Sequence, residues 1–243
     1  MQAFLLAAGL GTRLKPLTDT MPKALVPVAG SPLLQHVAQK LQHAGAHPIV
    51  VNAHHFATQI IDCVKTQEWA QQFVVSDESN QLLDTGGGLR KAQHLFHPEE
   101  PILIHNVDIL SNADLEQLLR HHEGHEVTLL VSERETQRYL LFDATMRLVG
   151  WTNVKTGEVR SPYPDLDVST CVKRAFSGIH VFSPHLFQRM EAYPDKFPIM
   201  DFYLNHCHEI QIYGVTQPGL KLLDVGKCDT LLAAEAFIQE IHK

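Results

Sequence analysis

The first half of the chain alternates between two patterns of apolar and polar residues. Short continuous apolar runs, typical of strands buried on both faces, alternate with segments whose apolar residues recur every three or four positions, as in amphipathic helices. The predicted strands are Ala3–Ala7, Ile49–Asn52, Phe73–Ser76, Ile102–His105 and Val127–Val131, and the predicted helices are Leu33–Ala44, Ala57–Lys65, Gly87–Phe96 and Leu115–His122. This order predicts an α/β fold, with a mostly parallel twisted sheet flanked by helices.

The pattern changes after Ser132. Two short strand-like segments, Tyr139–Phe142 and Leu148–Trp151, precede a polar stretch that contains prolines, and Ala175–Phe182 is strand-like again. We interpret residues 133–182 as an insertion packed against the main sheet, within one domain that spans residues 1–243. The remaining predicted elements are helices near Pro184–Met190, Met200–His206 and Thr230–His242, and strands at Ile212–Val215 and Lys221–Val225.

The composition favours a soluble globular protein. Hydrophobic residues make up 44% of the chain and charged residues 19%, which is ordinary for a globular domain. The 20 basic and 27 acidic residues give a net charge of −7 without a basic run, which argues against a nucleic-acid partner. No segment approaches the roughly 20 apolar residues of a membrane span. We therefore expect a cytoplasmic protein without a membrane partner, whose oligomeric state the sequence leaves open.

Cysteine and histidine residues do not indicate a metal site. The four cysteines are far apart and form no C-x-x-C pair, which argues against a zinc site and against a disulfide framework. The sixteen histidines occur singly or as direct neighbours, and neighbours on a helix point about 100° apart. We expect these histidines to be exposed polar side chains.

A glycine-rich loop, Gly9–Leu14, directly follows the first predicted strand. Glycines allow the backbone to approach a phosphate closely and to point amide groups at it, so the loop predicts a nucleotide site. It lacks the Gly-Lys-Ser/Thr ending of a Walker loop, and a dinucleotide fingerprint would require Gly in place of Leu14 and an acid in place of Asn52. The loop continues to Pro27, and long ordered loops in compact domains are usually functional.

Two cations, Arg13 and Lys23, lie on this loop. Arginine offers a planar fork to phosphate oxygens, and lysine offers a compact point charge. Either residue alone is more simply interpreted as a solvated surface side chain, but together beside a glycine-rich turn they favour triphosphate binding. We therefore predict that Gly11, Thr12, Arg13 and Lys23 bind the nucleotide.

Residues 6–23, LAAGLGTRLKPLTDTMPK, resemble the signature of the sugar-1-phosphate nucleotidylyltransferases, and residues 26–33 continue the resemblance. Residues 84–92, DTGGGLRKA, are similar to the segment that short single-domain members, such as the N-acetylmuramate-1-phosphate uridylyltransferases, place against the base. The resemblance implies a Rossmann-like nucleotidyltransferase fold in which Arg13 and Lys23 act in catalysis on the phosphates. It further implies that the base is lined by Ala7, Ala8, Gly9, Gly86 and Gly87.

Two distant aspartates each follow an apolar strand. Asp108 comes just after Ile102–His105, at a strand end where α/β sheets bind ligands, and Asp224 precedes a glycine. Mg²⁺ prefers oxygen ligands and takes one or two carboxylates with phosphate oxygens and water. An acid at such a strand end is also a common helix cap. The resemblance implies a magnesium ligand at both positions, although Val107 stands where the family commonly has glycine.

The acceptor sugar is expected on the side of the inserted segment. Gly178 resembles the acceptor-site glycine of the family, and a glycine inside a strand often marks close approach by a ligand or a bulge. Many relatives carry a lysine that reaches the sugar phosphate after the preceding strand, and Lys155 loosely matches that position. Asn106, beside Asp108, is a candidate to bond a sugar hydroxyl.

These observations predict an enzyme that transfers a nucleoside monophosphate from an NTP to a sugar 1-phosphate, with Mg²⁺ as cofactor and pyrophosphate as the second product. UTP is the first choice and dTTP the second, because residues 84–88 resemble the corresponding segment of the short uridylyltransferases. In part, this choice also fits the imide edge of uracil, which can pair with amides and carbonyls freed by three successive glycines, residues 86–88. The alternatives are a mannose-1-phosphate guanylyltransferase that uses GTP and a non-catalytic nucleotide-sugar sensor. A nicotinamide-dependent oxidoreductase is opposed by Leu14 and Asn52.

Overall fold

The computed structural model describes residues 1–67 and 70–241, apart from the side chain of Cys228. The described strands are β1 (Gln2–Leu6), β2 (Pro27–Val28), β3 (Ser31–Pro32), β4 (Ile49–Ala53), β5 (Phe73–Asp77), β6 (Ile102–Asn106), β7 (Ile109–Ser111), β8 (Val127–Ser132), β9 (Arg138–Phe142), β10 (Leu148–Asn153), β11 (Glu158–Arg160), β12 (Val172–Phe182), β13 (Ile212–Val215) and β14 (Leu222–Asp224). The described α-helices are α1 (Leu33–His43), α2 (Ala57–Lys65), α3 (Asp84–Lys91), α4 (Leu115–Arg120), α5 (Phe187–Met190), α6 (Ile199–His206) and α7 (Cys228–Ile241).

Ten of the described strands form one mixed sheet with a parallel core. The core runs in the order β6-β1-β4-β5, and its three pairings are all parallel. The predicted α/β class is confirmed, with one difference at β8. This strand, predicted beside the parallel core, instead pairs antiparallel with β12 and parallel with β13. Antiparallel neighbours need no crossover helix, which lets the second half of the chain extend the sheet without further βαβ units.

The predicted insertion, residues 133–182, ends in a strand of the main sheet. Strands β9, β10 and β11 form an antiparallel extension, and Val172–Arg174 of β12 pairs with β9. The remainder of β12 pairs with β8 on one side and β6 on the other. Strand β11 falls within the polar stretch that contains prolines and was not predicted, because it is a short edge strand of three residues, mostly exposed, without an apolar run.

Three apolar clusters hold the helices to the sheet. One lies under α1, α2 and α4, and a second lies under α3 and α6 on the opposite face. The third packs the loop after β1 and strand β14 against α7, through Leu14, Val26, Val225 and Ala234. This last cluster fixes two segments that are more than 200 residues apart in sequence at the same edge of the sheet.

Helix boundaries differ from the prediction at α3 and α7. Helix α3 begins three residues earlier than predicted, at Asp84, and a 3-10 turn, Ala92–Leu95, follows it. Helix α7 begins at Cys228 rather than Thr230, and the predicted end at His242 lies outside the described residues. Within the described parts of the chain, no helix has both the length and the apolar character to cross a membrane.

Among the described residues three histidines are buried, contrary to the expectation that the histidines are exposed. His105 and His180 lie on the adjacent central strands β6 and β12, and His122 follows α4. Each is under 7% exposed. The expectation is wrong for His105 and His180 because strands covered on both faces bury every position, and His122 is held between the hydroxyls of Thr128 and Ser183. Burial lowers the pKa of His105 and of His122 to about 4 and that of His180 to about 3.

Candidate active site

The carboxyl ends of three core strands open into a cavity of about 420 Å³. Its lining comes from the loop after β1, the end of β4, the segment that begins α3, and the residues that follow β6. Ligands in open α/β sheets bind at this end of the strands, and the volume suits a small-molecule ligand. The lining includes Ala7, Ala8, Gly9, Gly11, Thr12, Arg13, Lys23, Asn106 and Asp108.

The glycine-rich loop folds back on itself at Gly11. This residue has a φ of +63°, in the left-handed region that favours glycine. A Cβ atom there would lie 2.8 Å from Thr18 Cγ2 and 3.0 Å from Lys23 Cβ, so the close approach also requires glycine. The Thr18 hydroxyl donates a hydrogen bond of 2.8 Å to the Gly11 carbonyl. The fold-back brings Arg13 and Lys23 to the same cavity.

Lys23 and Asp108 form an ion pair in this cavity. Lys23 is only 8% exposed, and its Nζ contacts Asp108 Oδ2. A buried ammonium group requires a partner, because burial without one is costly. The predicted phosphate-binding lysine and the predicted metal-binding aspartate are therefore direct neighbours.

A small second sheet brings Asp224 to Asp108. Strand β14 pairs antiparallel with β7, which places Asp224 opposite Ile109, and the Val225 N–H donates to the Asp108 carbonyl at 2.8 Å. A Cβ atom on Gly226 would lie 2.6 Å from Asp224 Oδ1 and 2.7 Å from Arg13 Nη2. Arg13, Lys23 and Asp108 line this end of the cavity, and Asp224 lies beside Gly226 just outside the lining.

The two carboxylates fit a magnesium ion. Asp108 and Asp224 supply hard oxygen donors from adjacent strands, and Mg²⁺ usually takes one or two carboxylates together with phosphate oxygens and water. Among residues 1–67 and 70–241, no group of three or more His, Cys, Asp or Glu side chains is arranged to hold a metal. A magnesium ion here would complete its coordination with substrate phosphate and water.

Gly86 and Gly87 lie on α3 outside the lining of the cavity, which at this point consists of Asp84 and Thr85. Both glycine amides donate to the Phe197 carbonyl, at 2.9 and 3.2 Å. A Cβ atom on Gly86 would lie 2.3 Å from the Phe197 ring. The expectation that these amides are free to pair with a base is wrong, because the glycines pack α3 against the segment before α6.

Asn52 and Glu78 form a buried network beside the cavity that the sequence did not predict. Asn52 Oδ1 accepts hydrogen bonds from the amides of Ala7 and Ala8, at 2.7 and 3.2 Å. Asn52 Nδ2 donates to Glu78 Oε1 at 2.8 Å. Glu78 is fully buried, and this burial raises the pKa of its carboxyl group. The sequence signal for this network was Asn52 itself, a polar residue at the end of an apolar strand.

Two of the three predicted sugar-binding residues are neighbours. Gly178 lies at a bulge in β12 with a φ of +74°, and a Cβ atom there would lie 2.9 Å from Asn106 Nδ2. Asn106 lines the cavity. Lys155 instead lies in the exposed turn between β10 and β11, outside the lining of the cavity. Its placement gives no support to a contact with the acceptor.

Known proteins show the same combination of fold and sequence. The family described as nucleotidyl transferase matches residues 2–241. The N-acetylmuramate alpha-1-phosphate uridylyltransferase of Caulobacter vibrioides is 31% identical over 98% of this chain and 97% of that protein. The mannose-1-phosphate guanyltransferase beta-B of Xenopus laevis is 27% identical over 100% of this chain, which spans 66% of that relative.

Solved structures agree at the level of the fold. A putative glucose-1-phosphate thymidylyltransferase from Bacillus anthracis, in complex with a sucrose, has a TM-score of 0.81 at 15% identity, over 99% of this chain and 96% of that chain. HddC from Yersinia pseudotuberculosis, complexed with GMP-PN, has a TM-score of 0.76 at 21% identity, over 98% and 99%. The match along nearly the whole sequence, together with this fold and cavity, shows that the chain belongs to the nucleotidyl transferase family of enzymes.

Proposed function

We propose that this protein transfers a uridylyl group from UTP to a sugar 1-phosphate, forms a UDP-sugar and releases pyrophosphate. The observation that carries the proposal is the end of the cavity lined by Arg13, Lys23 and Asp108, with Asp224 beside it. Two cations and two carboxylates gathered there suit a triphosphate with a divalent ion. The gathering of all four also argues against a non-catalytic sensor, which would have no need to keep them together.

The reaction requires positioning more than proton transfer. A phosphate oxygen of the sugar 1-phosphate attacks the α-phosphorus of the NTP in line, a new P–O bond forms, and the bond to the β-phosphate oxygen breaks. Because the attacking oxygen is already anionic near neutral pH, no general base is needed. Catalysis then depends on orientation and on neutralising the charge of the reacting phosphates.

The side chains divide this work between them. Arg13 presents a guanidinium fork beside Gly226, where it would bind two oxygens of the departing pyrophosphate. Lys23, held at the ion pair with Asp108, would place its ammonium group against the triphosphate as a point charge. Asn106 and the bulge at Gly178 lie beside these groups and would receive the acceptor sugar.

Magnesium is part of the proposal. Asp108 and Asp224 would hold the ion, and when bound it would neutralise the charge of the reacting phosphates. Lys23, in contact with Asp108, would add its own positive charge beside that site.

The choice of UTP is supported by the Caulobacter vibrioides relative, whose alignment covers 98% of this chain and 97% of its own length. That protein is a uridylyltransferase by name, and it suggests N-acetylmuramate 1-phosphate as the first acceptor to try. The guanyltransferase relatives are less similar, and the chain spans only 66% of those at the top of the comparison. GTP with mannose 1-phosphate is therefore the alternative pair.

The proposal is tested by pyrophosphate release from UTP, dTTP, GTP, ATP and CTP, each with a panel of sugar 1-phosphates. The panel includes N-acetylmuramate, glucose, N-acetylglucosamine and mannose 1-phosphates, with and without Mg²⁺. We expect release only with both substrates and Mg²⁺, and fastest with UTP. A preference for GTP or ATP would overturn the base assignment, and no release with any pair would overturn the reaction.

Asp108→Asn provides the inactive control, because it keeps the shape of the side chain and removes the charge that faces Lys23. Exposed Lys155 provides the matched surface control. If Lys155→Ala loses as much activity as Asp108→Asn, the assignment of the cavity as the reaction centre is wrong.

A further inference from the structure

The two walls of the nucleotide cavity are joined by one buried pair of side chains, Asn52 and Glu78. One wall is the loop after β1, and Asn52 holds it by accepting from the amides of Ala7 and Ala8. The other wall is the segment that begins α3, and Glu78 reaches it through Oε2, which accepts from the Leu83 amide at 3.4 Å. Because Asn52 Nδ2 donates to Glu78 Oε1 at 2.8 Å, the link between the walls is continuous.

The link is tightly enclosed. Asn52 is 2% exposed and Glu78 is 0% exposed. A Cβ atom on Gly88 would lie 2.6 Å from Glu78 Oε1 and 3.0 Å from Asn52 Nδ2, so α3 packs directly on the pair. The backbone of Glu78 is fixed as well, since its amide donates to the Ala53 carbonyl at 2.7 Å and its carbonyl accepts from His54 Nδ1 at 2.7 Å. Because close-packed interiors are hardly compressible, these contacts hold the two walls in fixed positions.

We infer that Asn52 and Glu78 are positioning residues that set the width of the base-binding slot, and thereby the choice between a pyrimidine and a purine nucleotide. This inference rests on the proposed function, in which the base lies between the Ala7–Gly9 wall and the Leu82–Thr85 wall. A buried hydrogen bond fixes the separation of its partners within a few tenths of an ångström. A purine needs a wider slot than a pyrimidine, and a slot of fixed width converts that size difference into discrimination.

The bonds also remove donors from the slot. The amides of Ala7 and Ala8 both point at Asn52 Oδ1, so the nucleotide must be recognised by other groups of the lining. Asn52 occupies the strand end where a dinucleotide-binding protein would place a ribose-binding acid. In this chain its side chain binds the protein backbone, which is a positioning role and not contact with the reacting atoms.

The test measures the ratio of the dissociation constants for GTP and UTP by calorimetry, without a sugar phosphate. Asn52→Ala removes the link, and Glu78→Met removes it from the other side while Asn52 keeps its bonds to the loop. Glu78→Gln keeps an oxygen that accepts from Asn52. We expect the ratio to change at least tenfold in the two variants that break the link, and less than threefold in Glu78→Gln.

A control variant separates slot width from general stability. Asn112 also bridges two backbone segments, by donating to the Gly219 carbonyl at 3.0 Å and accepting from the Lys221 amide at 2.7 Å, but it lies outside the nucleotide cavity. Asn112→Ala should lower the melting temperature and leave the GTP/UTP ratio unchanged. Hydrogen exchange at Ala7 and Ala8 should accelerate in Asn52→Ala and not in Asn112→Ala.

The outcomes distinguish this inference from the proposed function. A wild-type protein that binds neither UTP nor GTP would overturn both. Wild-type binding of a nucleotide, with a ratio that stays within threefold in Asn52→Ala and in Glu78→Met, would overturn the slot-width role alone. If Asn52→Ala does not fold, Glu78→Met still decides, because the bonds from Asn52 to the loop remain in that variant.

Discussion

Replacing His180 with phenylalanine should remove part of the acid sensitivity of the fold. The His180 ring is 1% exposed and lies between aromatic rings, with centroid distances of 5.5 Å to Phe176 and 5.6 Å to Tyr203. Burial lowers the pKa of His180 from 6.5 to about 3, and the neighbouring His105 adds to this effect. Below pH 6.5 the unfolded chain therefore takes up a proton at His180 that the folded chain does not.

The magnitude follows from this difference. Because the unfolded state binds more protons, the free energy of unfolding falls as the pH decreases from 6.5 towards 3. At pH 5, about 1.5 pH units below the unfolded-state pKa, His180 lowers the free energy of unfolding by about 2 kcal/mol, at about 1.4 kcal/mol per pH unit. That is a large share of the total stability of a typical domain, about 5–15 kcal/mol.

The assay is urea denaturation at pH 7 and at pH 5 for the wild type, His180→Phe and the exposed-residue control His94→Phe. His180→Phe keeps an aromatic ring between its neighbours, so its stability at pH 7 should stay within about 1.5 kcal/mol of the wild type. Between pH 7 and pH 5 it should lose about 2 kcal/mol less than the wild type. The control should lose as much as the wild type. Equal losses in the wild type and His180→Phe would refute the reasoning.

Three predictions concern the cavity and its walls. Asp108→Asn should lower kcat/KM by roughly 100-fold or more. If both aspartates hold one ion, adding Asp224→Asn should lower kcat/KM far less than a further 100-fold. Initial rates at varied Mg²⁺ test this, and normal rates of Asp108→Asn at limiting Mg²⁺ would contradict it. Arg13→Lys keeps the charge but loses the fork, so kcat/KM should fall roughly tenfold or more, and wild-type kinetics would make Arg13 a surface residue. Gly86→Ala would place Cβ 2.3 Å from the Phe197 ring, so the free energy of unfolding should fall by about 1–3 kcal/mol, and an unchanged urea midpoint would contradict that packing.

The sequence predicted the parts of the site that depend on strand ends and on a specific loop. The apolar runs placed Asp108 at the carboxyl end of a core strand and Asp224 after a similar run, and the family resemblance then implied one site for the two. The loop from Gly9 to Lys23 combined a turn that needs glycine with two cations. These signals are local, which is why the sequence alone carried them.

Other features depend on contacts between distant segments and left no local signal. Gly86 and Gly87 of α3 are explained by Phe197 and Asp195, more than 100 residues later, and Gly88 is explained by Glu78 and Asn52. A pattern of successive glycines predicts a loop rather than a helix. His180 looks like any polar residue until β12 is seen to lie between β6 and β8. In the sequence, Asn52 is informative only because it stands where a dinucleotide-binding protein would have an acid. Its bonds to Ala7 and Glu78 join three separate elements, so no local pattern indicates them.

In the proposed reaction an oxygen of the sugar phosphate attacks the α-phosphorus of the NTP. An isotope experiment follows that oxygen: the enzyme receives a sugar 1-phosphate labelled with ¹⁸O in its non-bridging oxygens, together with UTP and Mg²⁺, and the products are analysed by ³¹P NMR and mass spectrometry. We expect one pyrophosphate for each UDP-sugar, with all of the label in the UDP-sugar. Label in the pyrophosphate, or pyrophosphate formed without a UDP-sugar, would contradict it.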